Sequence, residues 1–73
     1  MFNYSKLSGK IRECGFTQAD FAKKIGISPT TFSLKLSNRT FFDQREIEKA
    51  CEILSLKVDE IGAYFFTKEV QKS

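Results

Sequence analysis

Helix stops and helix starts crowd this sequence, and they hold every element it can build to a few turns. Gly15-Phe16-Thr17 joins a glycine stop to a threonine cap. Gly26-Ile27-Ser28-Pro29 joins a second glycine stop to a serine cap, with proline at the first helical position, where its missing N–H costs nothing. Asn38 offers a third, left-handed stop ahead of a further start at Asp43.

Between these signals apolar residues recur at steps of three and four, the period of a helix with one buried face. Tyr4, Leu7, Ile11 and Cys14 stripe a first helix, capped by Asn3 or Ser5 and ended by Gly15; Gly9 inside it costs about 1 kcal/mol relative to alanine. A second runs from Gln18 to Ile25 and turns Phe21, Ala22 and Ile25 inward. The third runs from Pro29 to about Ser37. Asp43 and Glu46 form a capping box for the fourth, Phe42 staples onto Ile47, and Ile47, Ala50, Cys51 and Leu54 make its stripe. The fifth starts near Val58, with Asp59 and Glu60 in its first turn and Ile61 and Phe65 facing inward. No strand pattern is present. The pattern predicts an all-α fold, a compact bundle of five short helices forming one domain over residues 1–66, with 67–73 a frayed C-terminal tail.

Composition agrees with a single small core. The chain has 73 residues, 41% of them hydrophobic, and eight are phenylalanine. With no histidine, no glycine-rich phosphate loop and no evident acid pair, nucleophile-and-base catalysis has no members, so an enzyme is not expected. Neither a cofactor nor a metal is expected, since Cys14 and Cys51 lack ligand spacing and partners. Both cysteines fall on apolar stripes and are expected as buried free thiols of a reducing cytoplasm. No apolar run is long enough for a signal peptide or membrane helix.

Charge is unevenly spread. Residues 1–42 hold seven basic and two acidic residues, a balance of +5, and residues 43–73 hold five and seven, a balance of −2, which sum to the net +3. A basic front suits an anionic partner, although solvated surface charge reads the same way.

The third helix is unusual in its exterior. With 100° per residue, Phe32 and Leu36 lie within about 40° of each other and mark its buried face. Thr30, Ser33, Leu34 and Ser37 gather on the opposite side, short and neutral where surface helices usually carry long charged residues. A helix entering a DNA major groove has need of such an exterior, since hydroxyls bond base edges or phosphates and a leucine meets a thymine methyl. Two short helices joined through a glycine, the second polar outside, make the helix-turn-helix pattern.

The run TQADFAKKIGISPTTFSLKL resembles the helix-turn-helix of the phage Cro/repressor-type (XRE-like) family, and the likeness extends through FFDQREIEKACEILSL to about residue 66. It is nearest to the small one-domain Cro-like proteins and modulators of repression of temperate phages of Gram-positive bacteria. The resemblance implies a lambda-repressor-like fold and a DNA-binding transcriptional regulator in the host cytoplasm, reading a double-stranded DNA operator with helix 28–37, as a homodimer. It places Pro29, Thr30, Ser33, Leu34 and Ser37 toward bases, and Gln18, Ser28, Lys35, Asn38, Arg39 and Thr40 toward phosphates. Pro29 departs from the polar or basic residue common at its position. The alternative is a protein-binding modulator that engages a partner phage repressor and acts on DNA weakly or only within the complex. Modest net charge, a third helix without arginine and spare aromatics favour it. Tyr64, Phe65 and Phe66 are consecutive, so one core cannot take all three. Phe65 is expected inward. Tyr64 and Phe66, with Phe41, are the candidates for a protein interface.

Overall fold

The computed structural model describes residues 1–68, and within them the chain forms five helices. These are α1 (Ser5–Glu13), α2 (Gln18–Lys24), α3 (Pro29–Leu36), α4 (Gln44–Leu54) and α5 (Ile61–Phe65), with a single 3₁₀ turn, Val58–Glu60, leading into the last. No helix among the described residues is long and apolar enough to cross a membrane.

One device ends the first four helices. Gly15, Gly26, Asn38 and Ser55 take positive φ of 85°, 87°, 65° and 56°. After each, a backbone N–H reaches the carbonyl five residues back: Phe16 to Ile11, Ile27 to Ala22, Arg39 to Leu34 and Leu56 to Cys51. This is the Schellman stop, which satisfies carbonyls the helix leaves bare and turns the next residue back toward the core. Phe16, Ile27 and Leu56 use the turn to pack against the core; Arg39 does not. Ser55 accepts the left-handed conformation without glycine's freedom, and nothing in the sequence marked it.

The starts follow the side chains that seed them. Thr17 Oγ1 accepts the Asp20 N–H at 3.0 Å and Ser28 Oγ the Thr31 N–H at 3.1 Å. The Asp43–Glu46 capping box is complete in both directions, at 2.8 and 3.0 Å. At α1 the cap differs. Tyr4 occupies the N-cap, and Asn3 Oδ1 takes the Ser5 N–H from one position earlier.

These boundaries bring ten apolar side chains and Tyr4 into one core. Leu7 and Ile11 come from α1, Phe21 and Ala22 from α2, Phe32 from α3, Ala50 and Leu54 from α4, and Tyr64 and Phe65 from α5; Ile25 closes the second turn. Ring contacts run through it without a break, from Phe16 to Phe21, Phe32 and Phe42, then to Tyr4 and Phe65, and from Tyr4 to Phe2 and Phe66. Fully burying each phenylalanine contributes about 1.5–3 kcal/mol.

Three expectations change. Cys14, assigned to the core, is exposed at the C-cap of α1, because the chain turns away at Gly15 before another helix covers it. Cys51 is half-buried, and burial pushes its thiol pKa up. Tyr64 is buried rather than exposed: α5 has only five residues, and α1 packs along it with Lys6 Nζ 5.3 Å from the Tyr64 ring. At the C-terminus, Thr67 and Lys68 pair with the N-terminal segment, through the Asn3 N–H to the Thr67 carbonyl at 2.7 Å and an isolated antiparallel bridge between Phe2 and Lys68. The rest of the expected tail, 69–73, lies outside the described residues.

Phe21 is wholly buried between Phe16 and Phe32, whereas Thr30 is exposed and makes no side-chain hydrogen bond among the described residues. Denaturant unfolding of Phe21→Ala should therefore show a loss of about 3–5 kcal/mol. Thr30→Ala should stay within about 0.5 kcal/mol of the parent. A costly Thr30→Ala would mean that the inner and outer faces of α3 are exchanged.

Candidate functional site

Two surfaces meet at the loop that joins α3 to α4. The first is the outer face of α3, where Thr30, Ser33, Leu34 and Ser37 are exposed, as expected from the wheel, and Pro29 is exposed as the resemblance implied. Leu34 is 43% exposed. The hydroxyls there are not equally available. Ser37 Oγ donates back to the Ser33 and Leu34 carbonyls, each at 3.1 Å, and Ser28 is held in its cap. Thr30 and Ser33 carry no such bond among the described residues.

The residues expected to approach phosphates divide sharply. Gln18 and Arg39 are exposed, and Thr40 is half-buried. Asn38 is committed: its amide accepts the Phe2 N–H at 2.8 Å and donates to the Phe2 carbonyl at 2.9 Å, tying the N-terminal segment to the left-handed stop of α3. Lys35 corrects the expectation outright. Its side chain is 8% exposed and its ammonium lies 2.9 Å from Glu46 Oε1, donates to the Phe41 carbonyl at 2.7 Å and sits 5.8 Å from the Phe42 ring. The position had foretold this, since residues three apart on a helix stand within about 60° of each other, and Lys35 therefore shares the buried side with Phe32.

The capping box and this ion pair form one unit. Glu46 Oε1 accepts both the Lys35 ammonium and the Asp43 N–H, so a single carboxylate starts α4, neutralises the lysine and closes the loop from α3. Every buried side-chain polar atom described has a partner. For the outer face of α3 the consequence is electrostatic. A phosphate backbone is bound by cations that release its counterions. The last turn of α3 spends its lysine internally, and the next cation along the chain is Arg39, in the loop beyond the helix stop.

The second surface is apolar. Holding the Phe41 carbonyl fixes the loop so that the Phe41 ring points out, 66% exposed. Beyond it lies a groove of about 210 Å³, with Phe42, Ile47, Tyr4 and Phe65 toward its core side and Phe41, Phe66 and Phe2 about its mouth. Phe66 is 52% exposed and meets Phe2 edge-on at 5.9 Å. Phe41 and Phe66 thus stand together as the sequence suggested. Tyr64 does not join them. Phe2 and the Lys35–Glu46 pair were not foreseen as parts of the site. Phe2 sits too near the chain start for any helical pattern to claim it.

A family model described as a protein of unknown function, DUF739, matches residues 1–68. No curated protein matches at a significant level. Among solved structures, the solution structure of the modulator of repression (MOR) of the temperate bacteriophage TP901-1 from Lactococcus lactis is similar, with a TM-score of 0.75 and 43% sequence identity. The match covers 89% of this chain and 88% of that one.

The buried pair has a clear energetic signature. Lys35→Ala leaves Glu46 charged and nearly buried, and should lower unfolding stability by about 3 kcal/mol. Lys35→Met combined with Glu46→Gln, which keeps a capping acceptor, should recover at least half of that. A Lys35→Ala loss below about 0.5 kcal/mol, the size of an exposed pair, would contradict the enclosed geometry.

Proposed function

We propose that this chain, which belongs to the DUF739 family, works as a modulator of repression: it binds a phage repressor and alters that repressor's action on DNA. The observation that carries the reading is the likeness to MOR, close in sequence and near-complete over both chains. The site supports it from a different side. A DNA reader is held by phosphate contacts before it reads bases. Here two of the residues meant for phosphates, Lys35 and Asn38, are spent inside the fold, while an apolar groove is left open beside them.

A second reading keeps a specific observation on its side. The outer face of α3 offers Thr30, Ser33 and Leu34 without bulk, which suits a helix-turn-helix entering a major groove. The two readings differ in whether the chain needs its partner.

An electrophoretic shift assay on the DNA beside this chain's gene, with and without the repressor encoded there, separates them. The chain alone should give no sequence-specific shift at micromolar concentration. Added to the repressor, it should change the repressor's own shift, and light scattering should show a complex of the two. A specific shift by the chain alone, weakened by about 1–3 kcal/mol in each of Thr30→Ala, Ser33→Ala and Leu34→Ala, would overturn the modulator reading in favour of direct base readout.

A further inference from the structure

Resting on the reading of this chain as a partner-binding modulator, we propose that the aromatic groove receives one amphipathic helix of a partner protein. Two bulky apolar residues one turn apart on that helix enter between Phe41 and Phe66, and carboxylates flanking them meet Arg39. Size, backbone and charge each select this occupant.

Size excludes a second copy of the chain resting on the groove alone. Phe41 and Phe66 are 66% and 52% exposed, which leaves roughly 200 Å² of aromatic surface for a partner to cover. A stable pair of proteins buries about 800 Å² on each side. The groove itself, about 210 Å³, accepts a side chain or two from one ridge of a helix.

The backbone offers little to an added strand. Strand addition draws on a row of unpaired N–H and C=O groups. At this mouth several are consumed: Asn38 takes both the N–H and the carbonyl of Phe2, the Thr67 carbonyl takes the Asn3 N–H, and Lys35 takes the Phe41 carbonyl, so no continuous row is left. A helix brings its own backbone already satisfied and asks only for apolar contact.

Charge selects acidic flanks. The carboxylates nearest in sequence to Phe41 are occupied, Asp43 in the cap and Glu46 by Lys35. Arg39 follows directly on Asn38, which is bonded to Phe2 at the groove, and it is exposed with no carboxylate within ion-pair distance among the described residues. Because Lys35 fixes the Phe41 backbone, the ring is held outward before any partner arrives, which lowers the ordering cost of binding.

Calorimetric titration of the full chain with two synthetic helical peptides tests this. Both carry leucines at i, i+4 and i+7; one has glutamates beside them, the other lysines. The glutamate peptide should bind at least about tenfold tighter than the lysine peptide, Arg39→Glu should reverse the preference, and Phe41→Ser and Phe66→Ser should each weaken binding about tenfold or more with helical content retained. Absence of binding, equal affinity for the two peptides, or indifference to Phe41→Ser and Phe66→Ser would overturn the proposal. So would light scattering that shows a dimer of the chain dissociated by Phe66→Ser. The repressor separates failure of the groove from failure of the modulator reading. A complex with it that survives both serine substitutions unchanged overturns the groove while leaving the modulator reading intact. Tight, selective peptide binding with no repressor complex sinks that reading and upholds the groove.

Discussion

The ring of Phe42 is where the helices of this protein meet. It lies edge-on to Tyr4 at the start of α1, to Phe32 of α3 and to Phe65 of α5, at centroid distances of 5.3, 5.8 and 5.4 Å, and it directly precedes the cap of α4. Edge-to-face pairs of this kind each add about 0.5–1.5 kcal/mol beyond area burial. Three of them weigh heavily in a domain whose whole stability is of order 5 kcal/mol. The ring can serve all three neighbours only if the loop before α4 is held still. That is the work of Glu46, which closes the capping box with Asp43 and takes the Lys35 ammonium, while Lys35 grips the Phe41 carbonyl.

This arrangement has a functional price on one side and a gain on the other. Drawing Lys35 inward strips the last turn of α3 of a cation, so the outer face that looks suited to DNA carries little to hold a phosphate backbone. The same bond sets Phe41 outward beside Phe66 and opens the apolar groove. One interaction thus withdraws a cation from the outer face of α3 and fixes the backbone at the exposed Phe41. That balance agrees with the likeness to a phage modulator of repression.

Much of the fold was legible because the chain announces its helix ends. Gly15, Gly26 and Asn38 marked three stops, and Thr17, Ser28 and the Asp43–Glu46 pair marked three starts, each by local chemistry that needs no tertiary knowledge. Ser55 escaped because a non-glycine left-handed residue has no local signature strong enough to declare it. Helix periodicity says which residues share a face, but not whether a neighbour arrives to cover them. Hence Cys14 lies bare at the end of α1, and Tyr64 is covered by it. Lys35 was read by its charge when its register with Phe32 was the better guide. The groove depends on Phe2, which sits in no periodic element and is placed by the side chain of Asn38.

The proposal that this protein acts through a protein surface rather than by reading DNA turns on which of its surfaces each candidate partner touches. Amide chemical-shift mapping of the labelled chain tests it most directly, with duplex DNA flanking its gene and a phage repressor encoded beside it added in separate titrations. The repressor should move the signals of Arg39, Phe41 and Phe66, while equimolar duplex should leave those of Thr30, Ser33 and Leu34 in place. Saturable shifts on α3 with the duplex alone, and none around Phe41 and Phe66 with the repressor, would contradict it.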